Sequence, residues 1–145
     1  MNVFDKSKRR EDGKHFVKIP SELVHHYTYH PDFKAEHSYL YAIIVDYYNA
    51  DEGYAYPNRD TLAMRYGKNP KTLDAHMAKL KKLDLMKVVV REDGKNVYIP
   101  LEPLDEKDFY VKFPEALEEY KNRLRYRDTE RKKAKERMKR YRSCN

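Results

Sequence analysis

The stretch from 57 to 99, "PNRDTLAMRYGKNPKTLDAHMAKLKKLDLMKVVVREDGKNVYI", constrains the fold more than any other part of the chain. Asn58 offers an oxygen to the free N–H groups of a helix start, and Asp60 in the first turn complements its positive end. Leu62, Ala63 and Tyr66 fall on one face, and Gly67 permits the left-handed turn that stops the helix. Asn69 then caps a second helix, with Pro70 at the first position, where a missing N–H costs nothing. Leu73, Met77, Leu80 and then Leu83 or Asp84 follow at helical spacing, and small Ala63 lets the two helices cross closely. "MKVVVR" and "NVYIP" flank a Glu92-Asp93-Gly94-Lys95 tip, and Asp-Gly between alternating strands is a strong hairpin signal. Two short helices joined at a glycine and closed by a hairpin make a winged helix-turn-helix, a shape that fits the DNA major groove.

The flanks are less regular. Residues 1–13 are polar without periodicity and read as a flexible arm. "HFVKIP" (15–20) alternates as a short strand would, and "PSELVHHYTYHP" reads as a short helix ending before Pro31. "KAEHSYLYAIIVDYYNA" (34–50) is expected to be a longer helix with Tyr39, Leu40, Ile43, Ile44, Tyr47 and Tyr48 as its apolar face, stopped by Gly53. "YAY" (54–56) can add an edge to the hairpin. "LEPLDEKDFYVKFP" (101–114) reads as a link between prolines, and Pro114 opens a segment of helix-forming composition. The expected organisation is an arm (1–13), a DNA-binding domain (14–113) and a basic C-terminal helix or tail (114–145).

Charge is unevenly placed. Of the net +7, residues 121–145 contribute 12 Lys/Arg against 3 Asp/Glu, or +9, while the remaining 19 basic and 21 acidic side chains leave the body at −2. Basic arms of this kind meet phosphate backbones, with Arg131, Lys132, Lys133 and Lys135 at the centre of the run. The plainer reading is a solvated tail. Taking Leu117 as the start of a heptad, the seam passes through Tyr120, Leu124, Arg127, Arg131, Ala134, Met138 and Tyr141, and two arginines interrupt it as a dimer interface.

On the second helix, the face opposite Leu73, Met77 and Leu80 carries Lys71, Ala75, Ala78 and Lys82, flanked by Thr72 and Lys79. Lysine neutralises phosphate or reaches guanine, threonine bonds phosphate or base, and alanine permits close approach. The alternative is the solvent face of an ordinary helix pair. At the hairpin tip, Arg91, Lys95 and Asn96 can reach a flanking minor groove, but Glu92 and Asp93 would be repelled there, so a purely structural hairpin competes.

"LAMRYGKNPKTLDAHMAKLKKLDLMKVVV…GKNVYI" resembles the winged helices of bacterial MarR- and GntR-style regulators. It is more similar still to the N-terminal domains of plasmid and phage replication initiators, as are "FVKIPSELV", "YLYAIIVDYYN" and "YAYPNRDTLA". The resemblance covers roughly 15–100 and implies recognition through Asn69, Lys71 and Thr72. Two residues depart from the family pattern. Lys68 replaces a small apolar residue of the turn, adding a phosphate contact or loosening the helix pair. Asp84 stands where glycine commonly ends the recognition helix, so that end is expected to continue differently.

Nothing points to catalysis: there is no phosphate-cradling glycine loop and no nucleophile elbow. His26 and His30 stand four apart, but Pro31 ends their helix and no third ligand is placed, so no metal or cofactor is expected. The single cysteine, Cys144, allows no disulfide framework, and no signal or membrane-spanning run is present. The fourteen tyrosines read as amphipathic packing rather than base stacking. The sequence thus predicts an α+β winged helix-turn-helix with a basic C-terminal helical extension: a non-catalytic, cytoplasmic protein that binds double-stranded DNA specifically, as a homodimer. Replication or transfer proteins are further expected partners. The competing reading is a protein-assembly module of a replisome or transfer complex whose DNA contact is non-specific and tail-driven.

Overall fold

The computed structural model describes residues 2–144. Its elements run α1 (Ser21–His25), a 3-10 turn (Tyr27–Tyr29), α2 (Ala35–Tyr47), α3 (Arg59–Tyr66), α4 (Pro70–Lys82), β1 (Met86–Val90), β2 (Asn96–Pro100), α5 (Glu106–Lys112) and α6 (Pro114–Cys144). The two strands pair antiparallel, Val88 opposite Tyr98 and Val90 opposite Asn96, with the connection closed by Arg91 N–H to Lys95 O and Gly94 N–H to Arg91 O. Ala55 exchanges backbone hydrogen bonds with Tyr98 at 2.7 and 2.8 Å, so "YAY" does lend the hairpin a third edge, one residue wide.

The local signals of 57–99 act as their chemistry requires. Asn58 accepts from Thr61 N–H and Asn69 from Thr72 N–H, while Gly67 closes α3 at φ 71°. Leu62, Ala63 and Tyr66 meet Leu73, Met77 and Leu80 in one core with Leu40, Ile43 and Ile44 of α2. Asp84 does not prolong α4. It takes up the left-handed conformation itself, at φ 55°, the one non-glycine residue to do so among the described residues.

Three expectations are corrected. Residues 15–20 form no strand: they pair with no other segment among the described residues and instead lie against α2, where Val17 and Ile19 line a cleft with Tyr39 and Ile43 and His15 meets Asp46 at 2.8 Å. α2 stops at Tyr47, well before Gly53, which belongs to a separate turn spanning Asn49–Tyr54. Its buried face also differs, since Tyr41 and His37 are inside whereas Tyr39 and Tyr48 are exposed. Those two polar-tipped residues tolerate burial because each is bonded: Tyr41 O–H donates to Leu101 O at 2.8 Å, and His37 Nδ1 accepts the Lys34 N–H at 2.9 Å.

The third correction is the supposed link at 101–114, which contains α5. Asp105 caps it by accepting from Asp108 N–H, and Phe109 is fully buried against Tyr27 and His26. The chain leading into it is pinned by two further bonds, Leu104 N–H to Tyr27 Oη and His26 Nε2–H to Leu104 O, both 2.8 Å.

Candidate nucleic-acid interface

The outer face of α4 is formed as the helical spacing requires. Lys71, Ala75, Ala78 and Lys82 are exposed, Thr72 and Lys79 are half-buried at its edges, and Leu73, Met77 and Leu80 are inside. Asn69 is exposed, but its side-chain oxygen is committed to the cap, which leaves its amide N–H₂ as the group free to contact a ligand.

The start of α3, α4 and the hairpin tip converge. Arg59 reaches across from α3 to Asp74 of α4, with Nε donating to Oδ1 at 3.0 Å and Nη2 to Oδ2 at 2.7 Å. Asn58 and Arg59 also line a cleft of about 400 Å³ together with Tyr56, Arg91, Lys95 and Asn96. Sequence reasoning selected Arg91, Lys95 and Asn96 but missed Arg59 and Asp74. Their relation spans two helices, and only their fifteen-residue separation and opposite charge could have hinted at it.

Most of the cations around α4 are already partnered. Lys68 lies 3.2 Å from Glu36 of α2, Lys79 and Lys82 hold Asp32 at 3.0 and 2.5 Å, and Arg91 pairs with Asp93 at 2.5 Å. Lys82 and Lys79 hold the Asp32 carboxyl at about 2, well below the usual range. Hydrogen bonding to Arg59 and Arg91 lowers the Asp74 and Asp93 carboxyls in the same way. Lys71 and Lys95 have no ion-pair partner among the described residues. Arg131, Lys132, Lys133 and Lys135 are all exposed on α6, where Lys133 lies 3.6 Å from Glu130. Leu117 and Tyr120 are half-buried, and Tyr120 packs on Tyr29 and Tyr110, so two positions of the heptad seam are used within the chain.

His26 and His30 do not form a metal pair. His26 bonds Leu104 O, while His30 meets Glu115 at 3.1 Å and accepts the Asp32 N–H. A different group, Glu36, His37 and His76, brings its ligand-type atoms within 4.8 Å of one another between α2 and α4. Its hydrogen bonds serve the fold instead. Neutral His37, its charged form disfavoured by burial, accepts at Nδ1 and so carries its proton on Nε2, with no lone pair left for a metal. His76 Nδ1 lies 2.7 Å from Tyr66 Oη, which also meets Glu36 O at 3.1 Å, and this chain of bonds holds α4 against α2 and α3.

No helix among the described residues is long and apolar enough to cross a membrane. No protein-family profile and no curated protein matches the sequence. Solved structures do match. One described as "N-Terminal domain of DNA binding protein" is 15% identical over 70% of this chain and 85% of that one, with a TM-score of 0.54. Another, "Structure of Rep-DNA complex", is 17% identical over 68% and 84%, with a TM-score of 0.52. At these identities the likeness is one of fold, and the described residues of this chain are α+β, helices with one antiparallel hairpin, consistent with a winged-helix-like domain.

Proposed function

We propose that this chain is a non-catalytic, sequence-specific double-stranded DNA-binding protein of plasmid, phage or mobile-element type, a replication initiator or transcriptional regulator working in the cytoplasm. In this reading α4 lies in the major groove, the hairpin is a wing beside it, and two copies bind one site. The carrying observation is the Arg59–Asp74 pair, which ties the outer face of α4 to the cleft lined by Arg59, Arg91 and Lys95. In this reading that surface carries one base-reading helix flanked by two elements that contact the backbone. The fold shared with a Rep protein solved with DNA supports it.

The test is a footprint with Lys71→Ala/Thr72→Ala. Each change should alter stability by under ~0.5 kcal/mol, as at ordinary surface positions. Loss of a base contact should cost about 1–3 kcal/mol of binding and relax one position of the site. An unchanged footprint at unchanged affinity would remove α4 from the groove. A second reading is a replisome or transfer-complex assembly module, favoured by the ion pairs that occupy Lys68, Lys79, Lys82 and Arg91. It predicts only salt-sensitive, sequence-blind gel shifts that vanish when the basic segment is removed.

A further inference from the structure

The most distinctive group on the outer surface of α4 is its one acidic side chain, Asp74, which sits in the second turn of a helix that also carries Lys71, Lys79, Lys81 and Lys82. A free carboxylate there would oppose a phosphate-lined groove. Arg59 cancels that charge in place and grips both oxygens at 3.0 and 2.7 Å, which also fixes the plane of the carboxylate. The pair is far from buried: Arg59 and Asp74 remain 52% and 58% exposed, so each carboxylate oxygen keeps a second lone pair open to a ligand.

We propose that Asp74 reads a cytosine in the target site, with Arg59 as its positioning residue; this rests on the DNA-binding reading above. An ionised carboxylate only accepts hydrogen bonds. In the major groove the donors are the amino groups of cytosine (N4) and adenine (N6), whereas guanine and thymine present acceptors that repel it. Adenine sets its N7 acceptor beside its donor, so one of its two groups faces the carboxylate unfavourably. Cytosine offers the donor without that penalty. Lys71, three residues earlier and exposed on the same side of α4, supplies the donor that guanine O6 and N7 require. The two side chains together match both halves of a C·G pair, and neighbouring Ala75 and Ala78 leave room for the base edges to approach.

The experiment is selection of binding sites from randomised duplex DNA by the full chain and by its Asp74→Asn, Asp74→Ala and Arg59→Ala variants, with folding checked by circular dichroism. The wild type is expected to prefer cytosine at one position by about tenfold. Asp74→Asn should move that preference to adenine, whose N6 and N7 suit an amide. Asp74→Ala should bring it close to onefold, and Arg59→Ala should broaden the same position alone. A merely structural ion pair would move none of these preferences. A motif identical in wild type and in both Asp74 variants would overturn the inference and leave the function standing, and so would variants that lose every position together. A wild type that selects no motif would overturn the function and this inference with it.

Discussion

Asp84 and Asp32 show how single carboxylates secure the C-terminal end of α4. Asp84 holds a left-handed backbone that costs most L-residues about 1–2 kcal/mol, and its side chain pairs with Lys112 of α5. Asp84→Ala should therefore lower stability by about 1 kcal/mol, whereas Asp84→Gly should stay near the wild type, because glycine removes the strain as the ion pair is lost. Urea midpoints of the two variants give the comparison, and an Ala variant as stable as the Gly variant would refute it. Asp32 tests the same end of α4 from across the core, through Lys79 and Lys82 of the last turn. Its carboxyl is depressed from 3.8 to about 2 by Lys82 and Lys79, so it contributes stability above pH 3.8 that is lost as pH falls through 2. Because Lys82 is exposed and Lys79 only half-buried, Asp32→Asn should cost under about 1 kcal/mol at pH 7. Wild type and variant should converge in stability by pH 2, as measured by denaturant titration at both pH values.

At the scale of elements, what was legible in the sequence was what local chemistry decides. Asn58, Gly67, Asn69 and Pro70 bracket α3 and α4 because caps and left-handed stops act within a few residues. The inward face of α4 followed from spacing alone. The face of α2 did not, because Tyr41 and His37 are inside only by virtue of bonds to Leu101 and Lys34, and the periodicity of apolar residues carries no record of those partners. α5 was invisible for a related reason. It is seven residues long between prolines, and Phe109 finds its site among His26 and Tyr27, more than eighty residues away. Phe109→Ala should cost about 3–5 kcal/mol, as for a fully buried aromatic, and a loss below 1 kcal/mol in chemical denaturation would restore the segment to the status of a link. The candidate interface divides the same way: Lys71 and Thr72 could be found from one helix, whereas Asp74 gains its meaning from Arg59 on another.

For the whole molecule, the separation of charge decides how affinity should be built. The body carries −2 and residues 121–145 carry +9, so in the proposed DNA complex long-range attraction would rest on α6. If half of its 12 basic side chains meet phosphates, truncation after Tyr120 should flatten the slope of log affinity against log salt by about 5 and weaken all sequences alike. A truncated chain with the full slope would exclude α6 from binding, and one that lost only its sequence preference would make α6 a reader of the groove. The same helix bears on time as well as on affinity. Beyond Leu124 nearly every residue of α6 is exposed, so its backbone hydrogen bonds have little packing to protect them, unlike those of α2 and α4. Helices without tertiary support are marginal in water. Amide protons should therefore exchange with solvent deuterium progressively faster from Tyr120 toward Cys144, in seconds to minutes at the far end, while those of Leu40 and Leu80 outlast them by orders of magnitude. Duplex DNA that neutralises one flank of the helix should slow the distal amides most, so that the segment gains its order in the act of binding.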